Sequence, residues 1–398
     1  MIKKILLFSP PFNGHLNVLR DLILKYENYF NFHLIITGWK NTQPDLKGIN
    51  IQSSIVAYSD LYETDPAIWT LPRIVDLIDG CLDIAKQFKP DLIIYDFFSL
   101  EGNFVGKILK IPYYCSIPAL LGPFTHQEYL KRKLLLPINI KAITCLQEKF
   151  PGILDTDDFE MISDGLHITG QQNLVWSYPS LTPKDFMLNR KQTSYIFVHH
   201  LHKVLSNNNF IDIKKPLIYF SFGTAVMGNL WNQQLDVREK LKLFIHTLTK
   251  LWENKNFNII FVNLGKEIGN EYPPNWQVVQ YADQIDVLSR ASVFITHAGG
   301  NSFHEAVIAQ VPMVAIPFFG DQLLIAHQIE KLGLGINLIA DNEIDTKKPK
   351  NFLNELLAEK VVMAVDKILN ENTDYQKRFT QLSLEADNIL DLLNNDPR

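Results

Sequence analysis

Short apolar runs alternate with longer stretches of helical spacing through most of the chain. Residues 5–8 and 33–37 are apolar enough for buried strands, an amphipathic stretch at 16–29 separates them, and 49–56 continues the pattern. Further on, 71–88 has helical spacing, 91–95 (DLIIY) is a buried strand, 100–109 a helix and 112–117 a strand. Strands alternating with helices predict a parallel sheet covered on both faces, with ligands bound outside the carboxyl ends of its strands.

The alternation breaks between residues 201 and 216, where Ser206-Asn207-Asn208-Asn209 and Lys214-Lys215-Pro216 read as a linker. It then restarts, with strands at 217–222, 257–264, 278–281, 293–296 and 313–316 and a long helix at 235–252. The expectation is an α/β protein of two Rossmann-like doubly wound domains, 1–205 and 206–398, facing each other across a cleft. The tail from about residue 352 is helical in composition, and its last helix is able to pack back on the N-terminal domain.

Length agrees with two domains, since 398 residues exceed what one ordinary core holds. Hydrophobic residues make up 46% and charged residues 20%, the balance of a globular chain, and a net charge of -5 gives no electrostatic case for nucleic acid. Cys81, Cys115 and Cys145 are widely spaced, which argues for reduced core residues rather than a disulfide framework or zinc knuckle. No apolar run approaches the roughly 20 residues of a membrane span. The N-terminal apolar run stops at Pro10-Pro11 without a small-residue cleavage site and reads as a first strand, so the expected location is the cytoplasm.

The chemistry concentrates between residues 281 and 322. Residues 291–296 (ASVFIT) form a short buried strand stopped by Gly299-Gly300, and a helix is expected from Asn301 or Ser302. Helix first-turn amides lack intrahelical partners and carry partial positive charge, so this turn can hold a phosphate, with His297 as an added donor. Equally, Ser302-x-x-Glu305 is a capping-box pattern, and the segment reads as well as a plain βα turn. His15 is expected in a loop immediately after the first strand, and Asp96 ends another. A histidine there can take a proton from a hydroxyl, and a carboxylate on its other nitrogen fixes the tautomer. Singly, His15 is better explained as a helix N-terminal residue exposed in a turn and Asp96 as an N-cap for the helix at Leu100.

Four motifs in order carry a resemblance: Pro10-Pro11-Phe12-Asn13-Gly14-His15, the 90–96 segment PDLIIYD, Ser221-Phe222-Gly223-Thr224, and the stretch from Tyr281 to Gln322. Together they resemble the UDP-glycosyltransferases of the GT-B fold, which move sugars from nucleotide sugars to small lipophilic molecules. The resemblance implies an inverting, metal-independent transferase with His15 as base and Asp96 as its support. It implies a donor site made of Gly14, Gly223, Thr224, Tyr281, Gln284, His297, Gly299, Gly300, Asn301, Ser302, Glu305, Asp321 and Gln322. Within that site His297, Asn301 and Ser302 would face the diphosphate, Glu305 the ribose, and Asp321 and Gln322 the transferred sugar.

Two departures bear on the donor. Tyr281-Ala282-Asp283-Gln284 stands where relatives often have Trp-x-Pro-Gln, so Tyr281 can stack on a base while the pocket's shape is open; Gly300 stands where plant members have Trp. UDP-glucose is the expected donor, ahead of a dTDP-sugar, with no cofactor besides the nucleotide sugar. The acceptor wall is expected at residues 55–78 and 118–150. Phe197-Val198-His199-His200, with His202, and Asp155-x-Asp157-Asp158 hold metal-ligand residue types, but a domain junction and a solvated acidic turn explain them better. Competing activities are nucleotide-sugar epimerisation, transfer to a lipid-linked or cell-wall acceptor, for which Lys131-Arg132-Lys133 and Leu134-Leu135-Leu136 offer weak peripheral membrane contact, and nucleotide-sugar binding without turnover. A monomer or a dimer fits equally.

Overall fold

A computed structural model describes residues 2–38, 42–44, 46, 48–58, 71–118, 132, 134–155, 159–162, 165–182, 195–201, 215–269, 271–319, 321–339, 353–382 and 385–394. They fall into two compact units, one made of residues 1–201 with 385–398 and the other of 202–384. The linker expected at 201–216 lies almost wholly outside the described residues, as does much of the expected acceptor wall.

In the first unit a seven-stranded sheet contains β1 (Lys4–Ser9), β2 (Asn31–Gly38), β3 (Gln52–Ala57), β4 (Leu92–Asp96), β5 (Tyr113–Ile117), β8 (Gln172–Val175) and β9 (Tyr195–Phe197). A separate antiparallel pair consists of β6 (Phe159–Ile162) and β7 (Gly165–Ile168). The sheet order is β3-β2-β1-β4-β5-β8-β9, and every pairing in it is parallel. Successive side chains of a strand point to opposite faces. Leu6 and Phe8 of β1 therefore join Ile93 and Tyr95 of β4 on one face, where Leu77, Ile78 and Cys81 of helix α2 (Pro72–Phe88) cover them. Ile5 and Leu7 point the other way, with Leu92 and Ile94, into a second cluster covered by Leu16, Leu19 and Ile23 of α1 (Asn13–Tyr26). Burial on both faces is why these strands are continuously apolar in sequence. Helix α3 (Glu101–Leu109) follows β4, and α4 (Pro137–Lys149) packs beside α2.

The last described segment completes this unit. Asp387 bridges Val198 in parallel, its N–H donating to Phe197 O at 2.8 Å and its carbonyl accepting from His199 N at 3.2 Å. Ile389 and Leu393, both fully buried, then enter the α1 face of the sheet.

The second unit repeats the plan with β10 (Leu217–Ser221), β11 (Asn258–Val262), β12 (Trp276–Val279), β13 (Val293–Thr296), β14 (Met313–Ala315) and β15 (Gly335–Asn337), in the parallel order β12-β11-β10-β13-β14-β15. Its helices include α5 (Leu235–Leu251), α6 (Gln284–Leu288), α7 (Gly300–Ile308), α8 (Asp321–Lys331), α9 (Glu355–Asn370) and α10 (Asn372–Leu382). Both units thus carry the doubly wound α/β architecture that the alternation predicts. In each, the strand order reverses at one place, between β1 and β4 and between β10 and β13, and such a switch point opens a crevice at the carboxyl ends.

Candidate active site

In the first unit the switch point is occupied by His15 and Asp96. The chain leaves β1 at Ser9, passes Pro10-Pro11-Phe12 and enters α1 at Asn13, so His15 sits in the first turn of a helix. The loop expected for it is corrected here. Asn13 and Gly14 are poor helix formers, but first-turn positions need no i−4 acceptor, and propensity matters little there. His15 N instead donates to Phe12 O at 2.9 Å.

Asp96 closes β4 and is fully buried, while the His15 side chain keeps 18% of its exposure. His15 Nδ1 lies 3.0 Å from both Asp96 oxygens. A carboxylate only accepts, so Nδ1 is the donor and the lone pair falls on Nε2. Asp96 Oδ1 also accepts from Phe98 N at 2.8 Å, and Phe97 and Phe98 form the corner after the strand. Their rings flank the imidazole, Phe98 stacked at 4.4 Å and 27° and Phe97 tilted at 5.3 Å. Asp96 does not cap a helix, because α3 begins at Glu101 with Leu100 at its N-cap and no side-chain cap bond. Gly14 is exposed beside His15.

The second unit's switch point gathers Gly223, His297, Gly299 and Gly300. After β10 the chain turns at Gly223, where φ is +64°, into Thr224 and a π-helical turn, Ala225–Leu230. After β13 come His297 and Ala298, whose φ of +61° is supported by a 3.1 Å bond from its N–H to Thr296 Oγ1. Gly299 is the N-cap of α7, and no side chain caps that helix. The helix therefore starts at Gly300, one residue before the expected Asn301, and the capping box does not form. The first-turn amides are left for an anion, beside the half-buried Asn301 and Ser302.

His297 is wedged between glycines. A Cβ at Gly223 would lie 2.5 Å from His297 Cε1, and one at Gly299 would collide with His297 Nε2. Its Nδ1 is buried with no hydrogen-bond partner among the described residues, and burial pushes its pKa down to about 4. The ring is neutral at pH 7, so it offers one N–H and one lone pair.

Ser302 and Glu305 turn toward Gln284, the first residue of α6. The Gln284 amide nitrogen donates to Ser302 Oγ at 3.1 Å and to Glu305 Oε2, while its oxygen accepts from Tyr219 OH at 3.1 Å. Tyr219 reaches there from β10, stacked on Phe294. Three predicted donor residues are thus joined, with Tyr219 as a member that sequence reasoning did not single out; its position inside a buried apolar strand gave no signal. Tyr281 stands 80% exposed. Asp321 is half-buried at the start of α8, and Gln322 is buried beside it. The Gln322 amide oxygen accepts from Phe318 N at 2.9 Å and Phe319 N at 3.3 Å, which commits that end of the side chain to the backbone. Gly320 lies outside the described residues.

Among the described residues, no three His, Cys, Asp or Glu side chains converge as metal ligands. The His199 ring bonds to the Ala386 backbone and His200 Nε2 to Trp176 O at 2.6 Å, so the two are separately engaged; His202, Asp157 and Asp158 lie outside the described residues. No helix among those residues is long and apolar enough to cross a membrane.

Residues 170–374, more than half of the chain, match the family described as UDP-glucoronosyl and UDP-glucosyl transferase. The chain is 28% identical over 289 residues to the NDP-glycosyltransferase YjiC of Bacillus subtilis (strain 168), covering 69% of this chain and 67% of the relative. It is 26% identical to the uncharacterized UDP-glucosyltransferase YojK of the same organism, covering 70% of each. Among solved structures, the glycotransferase of kitacinnamycin superposes with a TM-score of 0.69 at 18% identity, over 96% of this chain and 94% of that one. The calicheamicin glycosyltransferase CalG4 gives 0.68 at 15%, over 97% and 94%. At such identities the structures speak for the fold alone, and that fold is GT-B.

Proposed function

The chain belongs to the UDP-glycosyltransferase family and is a glycosyltransferase with a nucleotide-sugar donor; on that footing we propose that it moves a hexose, glucose, from a UDP-sugar to a hydroxyl of a small lipophilic acceptor, with inversion and without a metal ion. The observation that carries this reading is the His15–Asp96 pair at the first unit's switch point.

The steps follow from the side chains. His15 Nε2 takes the acceptor's hydroxyl proton while that oxygen attacks the anomeric carbon, and Asp96 steadies the imidazolium through Nδ1. The bond from the anomeric carbon to the diphosphate oxygen breaks, and UDP leaves with its electron pair. Direct displacement inverts the anomeric configuration. The α7 amides and His297 stabilise the charge that develops on the diphosphate, work that in other enzymes falls to a cation.

Gln284 and Glu305 support a ribose reading of their corner, since a carboxylate beside an amide suits two adjacent hydroxyls, and the 2′-hydroxyl is one of the two groups, with the 5-methyl of the base, that separate UDP from dTDP. The YojK relative is named as a UDP-glucosyltransferase, which favours the same donor. Competing UDP- and dTDP-sugars against phenolic and sterol acceptors by mass spectrometry, with and without a chelator and beside His15→Ala, tests the whole reading. Equal transfer by the variant would remove His15 as the base, and NMR of the product's anomeric proton reads the stereochemistry.

A second reading, transfer to a lipid-linked acceptor, draws on Leu135, Leu136, Ile138 and Ile140, exposed together near the exposed Arg132 and Lys141. Salt-sensitive binding to anionic vesicles would favour it.

A further inference from the structure

Behind Asp96 lies a buried ion pair with no part in the chemistry described so far. Arg73, the second residue of α2, is 2% exposed, and Glu101, the first residue of α3, is fully buried. Arg73 Nε stands 3.4 Å from Glu101 Oε1, and the guanidinium lies 5.3 Å from the Tyr58 ring centroid. Burial pushes the Glu101 pKa up, and the Arg73 guanidinium beside it, with the Glu101 backbone N–H, pulls it back, so Arg73 is the main compensation for burying that carboxyl. Burying such a pair is costly, and apolar residues of similar volume often stabilise as well or better. Its use is to be sought in what the pair holds in place.

What it holds is Phe98. Arg73 Nη2 donates to the Phe98 carbonyl. The N–H of the same residue donates to Asp96 Oδ1 at 2.8 Å, and its ring stacks on His15 at 4.4 Å. One residue is therefore attached at its carbonyl, its amide and its ring, and two of those attachments end on the dyad. The next residue adds a further tie, Ser99 Oγ to Thr37 Oγ1 at 3.0 Å. Release of the carbonyl would let the corner rotate, moving the donor that orients Asp96 and the ring that orients the imidazole together.

We propose that Arg73 and Glu101 are positioning residues for the sugar transfer: by anchoring the Phe98 carbonyl they hold Asp96 and His15 in the one geometry that presents the His15 Nε2 lone pair. This rests on the proposed role of His15 as base, but its structural half stands separately. The alternative is that the pair merely joins α2 to α3.

The two are separated with Arg73→Met/Glu101→Leu, which removes both charges and orphans neither, and with Arg73→Lys. Three quantities are measured: UDP affinity by calorimetry, kcat and KM, and the His15 ring-nitrogen shifts in protein labelled with 15N-histidine, assigned against His15→Ala. The proposal expects the double variant to keep its circular dichroism and its UDP affinity. Its kcat should fall roughly 10- to 100-fold, the scale of a misplaced catalytic group, and its His15 shifts should move from one tautomer toward the averaged values of a mobile ring. Arg73→Lys should restore part of both, since an ammonium keeps the charge and reaches the carbonyl without the fork. Wild-type shifts in the double variant overturn the proposal, whatever happens to kcat. If that variant does not fold, Arg73→Met/Glu101→Gln, which also removes both charges and the donor to the Phe98 carbonyl, decides by the same spectra. Absence of sugar transfer by the wild type would count against the functional reading, while the shifts would still decide the positioning claim.

Discussion

His15 meets both oxygens of Asp96 through a single nitrogen, Nδ1, at 3.0 Å to each. One of those oxygens, Oδ1, is also the acceptor for Phe98 N. The carboxylate is thus oriented by the backbone on one side and orients the imidazole on the other.

Asp96→Asn should exploit that asymmetry. The amide oxygen goes to Phe98 N, so the NH2 group faces His15 Nδ1, which must then accept and leave its proton on Nε2. The fold is kept and the base is in the wrong tautomer. A fall in kcat of about 10²- to 10⁴-fold is expected, with donor KM little changed, and His15→Ala/Asp96→Asn should be no slower than His15→Ala alone. Single-turnover rates check this, and transfer by Asp96→Asn within a factor of three of wild type would remove the dyad.

Gly223→Ala should cost both stability and donor binding. Its φ of +64° is strained for alanine, and the added Cβ meets His297 Cε1 at 2.5 Å. The backbone strain alone amounts to about 1–3 kcal/mol. UDP titration calorimetry together with urea unfolding should register both losses, whereas Gly228→Ala, where a Cβ meets nothing within 4 Å, should show neither.

His297 predicts an acid-sensitive second unit. Its folded pKa of about 4 lies below the unfolded value of about 6.5, so the unfolded chain takes up a proton that the folded chain refuses. Its contribution to stability is whole above pH 6.5 and is lost as the pH falls from there to about 4, a total of about 3 kcal/mol. Urea midpoints measured from pH 7.5 to 5 should fall less steeply for His297→Asn than for wild type. Parallel slopes would contradict the buried neutral ring.

Tyr219→Phe tests the network around Gln284. Removing the hydroxyl frees the Gln284 oxygen and lets the amide turn away from Glu305, at a cost of about 1 kcal/mol. UDP should bind several-fold more weakly, and discrimination between UDP and dTDP should narrow. Unchanged discrimination would show that Gln284 does not need the tyrosine.

The strands that carry the dyad and the diphosphate corner were legible because they are covered on both faces, which makes DLIIY and ASVFIT continuously apolar. Three-residue strands such as Tyr195–Phe197 and Gly335–Asn337 leave no period to detect, and their pairing comes from neighbours far along the chain. Ser302 and Glu305 show a local pattern overridden: their spacing satisfies the capping box, but Gly299 takes the cap and Gln284 takes both side chains. Arg73 and Glu101 were illegible for a different reason. Each opens a helix, where a charged residue is ordinarily solvated, and only the folded chain shows that both are buried.

The closing segment has a bearing on how the protein is made. Ile389 and Leu393 fill the α1 face of a sheet whose other members end at residue 197, and Lys3 Nζ donates to Leu393 O at 2.8 Å. During synthesis the second unit emerges complete while the first still lacks that filling. The domain translated first therefore reaches its final packing last.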